Sequence, residues 1–150
     1  MAVRTYLDTG VIIAAWSAVH VLHSEAVSVL KEDHRDFVST SLSRLETIPH
    51  AKFGRRIDEV NFLEAYFQGY IVETHEVDET LVQDAERVAE MTDTGGIDAM
   101  HIAAAINLGA EEFITVEKRT KPMYRNSQIR VIHLADYVNA KQVAQSVSNP

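Results

Sequence analysis

Five short runs with strand character alternate with stretches of helical periodicity, and this alternation restricts the fold more than any other feature of the sequence. Val3 to Leu7, Asp36 to Ser39, Tyr70 to Val72, Glu112 to Val116 and Arg130 to Ile132 read as strands. Val11 to Ser17 reads as a short buried helix, and Val19, Leu22, Ala26, Val29 and Leu30 recur at helical spacing up to about Glu32. Thr40 and Ser41 are helix-starting residues before Leu42, Leu45 and Ile48. Pro49 should kink or end that helix, although the pattern resumes over residues 52–56. Ile57 to Tyr66 is again helical, and Asp78 caps an amphipathic helix carrying Val82, Ala85, Val88 and Ala89. After a break at Gly95-Gly96, Ile97 to Leu108 is apolar almost all round, as a helix in the middle of a protein is. Ala135 to Val147 predicts a final helix. Strands separated in this way pair in parallel and are covered by helices on both faces, so the fold class is α/β.

The chain has 150 residues, 46% of them apolar and 24% charged, which suits one ordinary globular domain spanning 1–150. No Pro/Gly linker, repeat or low-complexity tract divides it. It has no cysteine, which excludes disulfides and thiolate metal sites and fits a reducing cytoplasm. The start, Met1 to Thr5, lacks the apolar core of a signal peptide, and the longest apolar run, Val11 to Trp16, is too short to span a membrane. A cytoplasmic location without membrane attachment is expected. The net charge of −8 argues at first against a nucleic-acid partner, but charge is unevenly spread. The stretch from Glu73 to Asp93 is acidic, whereas Lys118, Arg119, Lys121, Arg125 and Arg130 follow one another with no acid between. Such a stretch can hold a polyanion locally, or it is simply a solvated basic loop.

In open parallel sheets, ligands gather outside the carboxyl ends of the strands. Four acids satisfy that filter. Asp8 directly follows the first strand, Glu46 lies in the first turns of the helix after the second, Asp98 opens the apolar helix, and Glu117 follows the fourth strand. Carboxylates brought together repel one another and persist mainly around divalent cations. An all-oxygen set suits Mg²⁺ or Mn²⁺ rather than Zn²⁺. Each acid also has a plainer reading. Asp8 is a good helix cap, Ser43-x-x-Glu46 matches a capping box, Asp98 suits a helix N-terminus, and Glu117 beside Lys118 and Arg119 fits an exposed loop.

Taken together, four stretches resemble the PIN-domain family, which includes the VapC-type toxins of toxin–antitoxin pairs. Tyr6-Leu7-Asp8-Thr9-Gly10-Val11-Ile12-Ile13 resembles the opening strand and first catalytic Asp, and Thr40-Ser41-Leu42-Ser43-Arg44-Leu45-Glu46 the second motif. Gly96-Ile97-Asp98-Ala99-Met100-His101-Ile102-Ala103-Ala104-Ala105 is the closest match, and Phe113-Ile114-Thr115-Val116-Glu117 resembles the last motif. The resemblance implies a three-layer α/β/α sandwich with a mainly parallel, about five-stranded sheet. It implies a ribonuclease hydrolysing RNA through Mg²⁺ or Mn²⁺ on Asp8, Glu46, Asp98 and Glu117, with Thr115 and Ser41 in support. It also implies a homodimer and, for a toxin, an antitoxin partner whose tail lays a basic or apolar segment over the acidic crevice. Two features depart from the family pattern. The last acid is Glu117 where the family usually has Asp, and Pro49-His50 interrupts the helix of Glu46. The first departure leaves open a non-catalytic module that binds RNA or protein.

Other readings carry less. Asp8-Thr9-Gly10 is also the triplet of aspartic proteases, but those continue as strands and Val11 to Ser17 reads as helix. An aspartyl-nucleophile phosphatase needs an Asp where Gly10 stands. His101, one turn after Asp98, reads first as a buried histidine satisfied by hydrogen bonds and second as a general base. Arg44 is a candidate for phosphate contact, and Trp16, Tyr66, Phe67 and Tyr70 read as core.

Overall fold

In a computed structural model that describes residues 2–137, five strands form one wholly parallel sheet in the order β3-β2-β1-β4-β5. The strands are β1 (Val3–Leu7), β2 (Arg35–Thr40), β3 (Ile71–His75), β4 (Glu112–Thr115) and β5 (Arg130–His133). The helices are α1 (Thr9–Trp16), α2 (His23–Leu30), α3 (Ser41–Phe53), α4 (Ile57–Ala65), α5 (Glu79–Thr92) and α6 (Gly96–Asn107).

Side chains alternate across a strand, and here the alternation divides the core in two. Tyr6, Val38 and Phe113 face α5 and α6, packing with Leu81, Val88 and Ile102. Their neighbours Leu7, Phe37 and Ile114 face the other way, onto Val11, Ile12, Val29, Ile48 and Leu63 from α1 to α4. This gives the expected α/β/α layering. The helix predicted from Ile97 to Leu108 is α6, whose Ala99, Ile102, Ala103, Ala104 and Ala105 are all buried. Small alanines let its backbone lie close to the sheet.

Topology then determines where the crevice lies. From β1 the chain moves outward to β2 and β3, then crosses to β4 on the other side of β1 and continues to β5. The carboxyl ends of β1 and β4 therefore form the switch point at which parallel sheets open a crevice.

Several boundaries differ from expectation. The helix expected from Val19 is only His23–Leu30, because Val19 and Val21 are 95% and 87% exposed and belong to no core. Pro49 does not end α3, which runs through it to Phe53. Proline there removes the N–H that would bond the Leu45 carbonyl, and Leu45 lies on the exposed side of α3, 67% exposed. α4 stops at Ala65, and Tyr66–Tyr70 forms a turn of wider, π-type helix. β3 extends to His75 as an edge strand with a largely exposed middle, which is why alternation showed only its first residues. Tyr66 is buried as expected, whereas Tyr70 is 48% exposed. Residues 134–137 are helical, and the rest of the predicted final helix lies outside the described residues. Among the described residues no helix is long and apolar enough to cross a membrane.

Candidate active site

Asp8 is the first residue after β1, and its backbone extends the sheet by one step: its N–H donates to the Ile114 carbonyl of β4 at 2.9 Å. The carboxylate is thereby fixed at the switch point, where it is 7% exposed. Both of its oxygens are held. Oδ1 accepts from the Thr9 N–H at 2.9 Å, capping α1, and Oδ2 accepts from the Thr115 hydroxyl at 2.8 Å. The capping role and the site role thus coexist in one side chain. Burial pushes the Asp8 carboxyl above the ordinary carboxylate range, and Asp98 adds to that push, while His101, Thr115 and Thr9 oppose it.

Gly10 sets how closely α1 approaches the end of β4. A Cβ built there would lie 2.5 Å from Cγ2 of Val116. Gly10→Ala should cost about 1–3 kcal/mol through overpacking, read as a lower urea midpoint, and Val116→Ala in the same chain should restore most of it. An unchanged midpoint in the single variant would contradict this packing account.

Glu46 lies on α3, one turn and a half into the helix capped by Thr40, whose hydroxyl accepts from the Leu42 N–H. Because the cap is Thr40, Ser43 and Glu46 do not form a capping box, which removes that plainer reading. The Glu46 carboxylate is turned toward β1 and α6. Its Oε1 accepts from the Thr9 hydroxyl at 3.0 Å and meets His101 Nε2 at 2.6 Å. The His101 hydrogen bond holds its carboxyl below the ordinary range, with the Thr9 hydroxyl contributing.

Asp98 sits in the first turn of α6, partly exposed, and accepts no hydrogen bond among the described residues. It is close enough to Asp8 to raise that group electrostatically. Glu117 follows β4 on a tethered backbone. Its N–H donates to Thr115 Oγ1 at 3.0 Å, and its carbonyl accepts from the Tyr124 hydroxyl at 2.7 Å. Burial pushes the Tyr124 phenol up to about 12, with Arg119 opposing and Asp136, Glu117 and Asp8 adding to the rise. Thr115 therefore links two of the acids, donating to Asp8 and accepting from Glu117.

Thr9 ties Asp8 to Glu46, its N–H meeting the first and its hydroxyl the second, Thr115 ties Asp8 to the Glu117 backbone, and Asp98 acts on Asp8 electrostatically, but the four side chains are not drawn into a closed cage. Among the described residues no group of three or more His, Asp or Glu side chains stands ready to enclose an ion. The Ser41 hydroxyl accepts from the Val77 N–H at 3.2 Å, and Arg44 forms a two-pronged pair with Glu64 at 2.7 and 2.8 Å. Within the basic stretch, Arg119 pairs with Asp136 and Lys121 lies 3.8 Å from Glu117.

Three participants were not assigned a role from sequence. Thr9 and Tyr6 carried no signal beyond adjacency to Asp8. His101 is buried and hydrogen-bonded as expected, and its place one turn after Asp98 was the clue that it faces the same crevice.

A model of the PIN domain matches residues 5–126. No curated protein sequence matches the chain. Among solved structures, a toxin–antitoxin complex from Klebsiella pneumoniae is similar with a TM-score of 0.67 at 15% identity, over 87% of this chain and 97% of that one. VapBC2 from Rickettsia felis, bound to a DNA fragment from its promoter, gives 0.64 at 12% identity, over 87% and 98%. VapC20 from Mycobacterium tuberculosis, a sarcin–ricin loop cleaving toxin, gives 0.63 at 15% identity, over 84% and 98%. At such identities the likeness is one of fold.

Proposed function

The chain belongs to the PIN-domain family, and on that footing we propose that it is an endoribonuclease using a divalent cation, Mg²⁺ or Mn²⁺, at the crevice above β1 and β4. Asp8, Glu46 and Asp98 would hold the cation, with Glu117 as a further ligand or a water-positioning carboxylate. The observation that carries this reading is the buried Asp8 carboxylate, fixed by β4 and destabilised in its charged form by burial and by Asp98. A cation there offsets both effects, and an all-oxygen donor set suits a hard ion. When bound, it would make a water more acidic and offset the charge of the scissile phosphate.

The protein's own residues prepare that chemistry. Thr115 and the Thr9 N–H fix the Asp8 carboxylate, so little reorganisation is needed when a ligand arrives. Asp98 stands without a hydrogen-bond donor among the described residues, and Glu46 Oε2 is likewise unclaimed, which leaves both to the crevice. Lys118, exposed beside Glu117, is placed to meet an RNA phosphate. A toxin of this fold that cleaves the sarcin–ricin loop gives the reaction class a precedent. The toxin–antitoxin complexes of similar fold support an antitoxin partner. A single domain, a homodimer and a cytoplasmic location belong to the same proposal.

The test is cleavage of a structured RNA. Activity should vanish when EDTA removes divalent ions and return on adding Mn²⁺ or Mg²⁺. Binding of RNA without cleavage at any ion concentration would instead favour a non-catalytic module.

A further inference from the structure

His101 is placed differently from the rest of α6. It is 2% exposed in the centre of the protein, yet both ring nitrogens are engaged. Nδ1 lies 2.6 Å from the Tyr6 hydroxyl, and Nε2 lies 2.6 Å from Glu46 Oε1. Tyr6 is itself fully buried, stacked on Phe113 with ring centroids 5.2 Å apart, and its other hydrogen-bond partner among the described residues is the Ser43 hydroxyl at 3.5 Å. A phenol in such surroundings keeps its proton and donates it. Its best acceptor is Nδ1. A neutral imidazole that accepts at Nδ1 carries its proton at Nε2, which then donates to Glu46.

We propose that Tyr6 and His101 form a buried relay that aims the Glu46 carboxylate into the crevice, with His101 as a positioning residue acting through its Nε2–H. Resting on the metal-centre reading, this assigns a division of labour within one carboxylate. Oε1 is occupied by His101 and by the Thr9 hydroxyl, while Oε2 meets no donor among the described residues and is the oxygen presented to a cation. Glu46 needs such fixing. It stands on the exposed side of α3 with a flexible side chain that is 33% exposed, unlike Asp8, which the sheet itself holds. Outer-sphere partners of metal ligands commonly do this work.

Three substitutions separate positioning from mere core filling. Glutamine carries an amide N–H near the place of imidazole Nε2, and asparagine reaches only as far as Nδ1. In the full chain, with Mn²⁺ alone as the probe in calorimetric titration, His101→Asn should weaken binding about tenfold or more. His101→Gln should stay within about threefold of wild type. Asparagine also leaves a larger gap than glutamine, so His101→Met, close to glutamine in volume but with no N–H to donate, is the packing control and should weaken binding as His101→Asn does. Equal weakening in His101→Asn and His101→Gln, or wild-type affinity in a folded His101→Asn protein, overturns the proposal.

Nitrogen NMR of the ion-free protein gives a reading independent of the metal. The His101 proton should sit on Nε2, and the Glu46 carboxyl-carbon resonance should move in His101→Asn and not in His101→Gln. A bare Nε2, or a Glu46 resonance indifferent to both variants, overturns the relay. If wild type binds no Mn²⁺, the metal-centre reading fails, and these spectra decide the relay by themselves.

Discussion

Replacing Asp8 by asparagine should reduce RNA cleavage on the order of a thousandfold or more while leaving the protein folded and no less stable. Loss of an outer-sphere partner typically costs about 10–100-fold, and Asp8 is assigned to the ion itself. Stability should behave oppositely. Asn preserves the volume and the side-chain oxygen that caps α1 through the Thr9 N–H. It also removes a carboxylate whose ionised form is penalised by burial and by Asp98. A carboxyl raised in the folded state destabilises the fold once ionised. The penalty is absent below the ordinary carboxylate range and complete above the raised folded value. Without metal at neutral pH, Asp8→Asn should therefore unfold at an equal or higher urea concentration than wild type. Were Asp8 only a helix cap, cleavage would survive the substitution. Asp98→Asn should show the same loss of cleavage, its carboxylate being one that no described group needs for folding. If both variants cut RNA like the wild type, the site is elsewhere.

The second large effect lies at the opposite edge of the sheet. Arg35 begins β2 with a guanidinium that is 1% exposed, and it gathers the amino ends of three strands. It pairs with Glu32 at 2.6 Å and with Glu112 of β4 at 2.9 Å, and donates to the Thr5 hydroxyl of β1 at 2.5 Å, while Tyr137 lies under its plane at 4.5 Å. Removing Arg35 takes a shared guanidinium from the carboxylates of Glu32 and Glu112, which are only 5% and 14% exposed. Arg35→Ala should cost roughly 3–5 kcal/mol, which for a chain of this size lowers Tm by about 10 °C or more. Arg35→Met combined with Glu32→Gln and Glu112→Gln should recover much of the loss, because the carboxylates deprived of the guanidinium are then removed with it. Cleavage per folded molecule should not change in either case, since the crevice is at the far ends of the same strands. A drop in Tm of only a degree or two for Arg35→Ala would show that the cluster contributes little.

Strand-helix alternation, read from single runs such as Arg4-Thr5-Tyr6-Leu7 and Phe113-Ile114-Thr115, was enough to specify a covered parallel sheet, because such runs have few other ways to be buried. The misreadings came where apolar residues serve no core. Val19 and Val21 extended a helical pattern that the chain abandons, and the edge strand β3 hides its length behind exposed positions. Pro49 costs α3 one backbone N–H, and the helix runs on past it to Phe53.

For the site, the order of Asp8, Glu46, Asp98 and Glu117 after strands and at helix starts was legible, because position relative to strand ends is a one-dimensional property. Side-chain partnership is not. That Thr115 bonds Asp8 follows from the register Leu7↔Ile114, which only the folded sheet supplies. That Arg44 is taken up by Glu64 rather than facing a phosphate depends on how α3 meets α4. The link from Tyr6 through His101 to Glu46 joins residues 95 and 55 positions apart, with no local signature.

These acids are proposed to share one divalent cation. A crystal of the full chain soaked in Mn²⁺ tests it most directly through anomalous scattering. A peak is expected within coordination distance of Asp8 and Asp98, with Glu46 presenting Oε2 to it and keeping Oε1 on His101. Manganese bound only elsewhere, with the Asp8 and Asp98 carboxylates left apart, would contradict it.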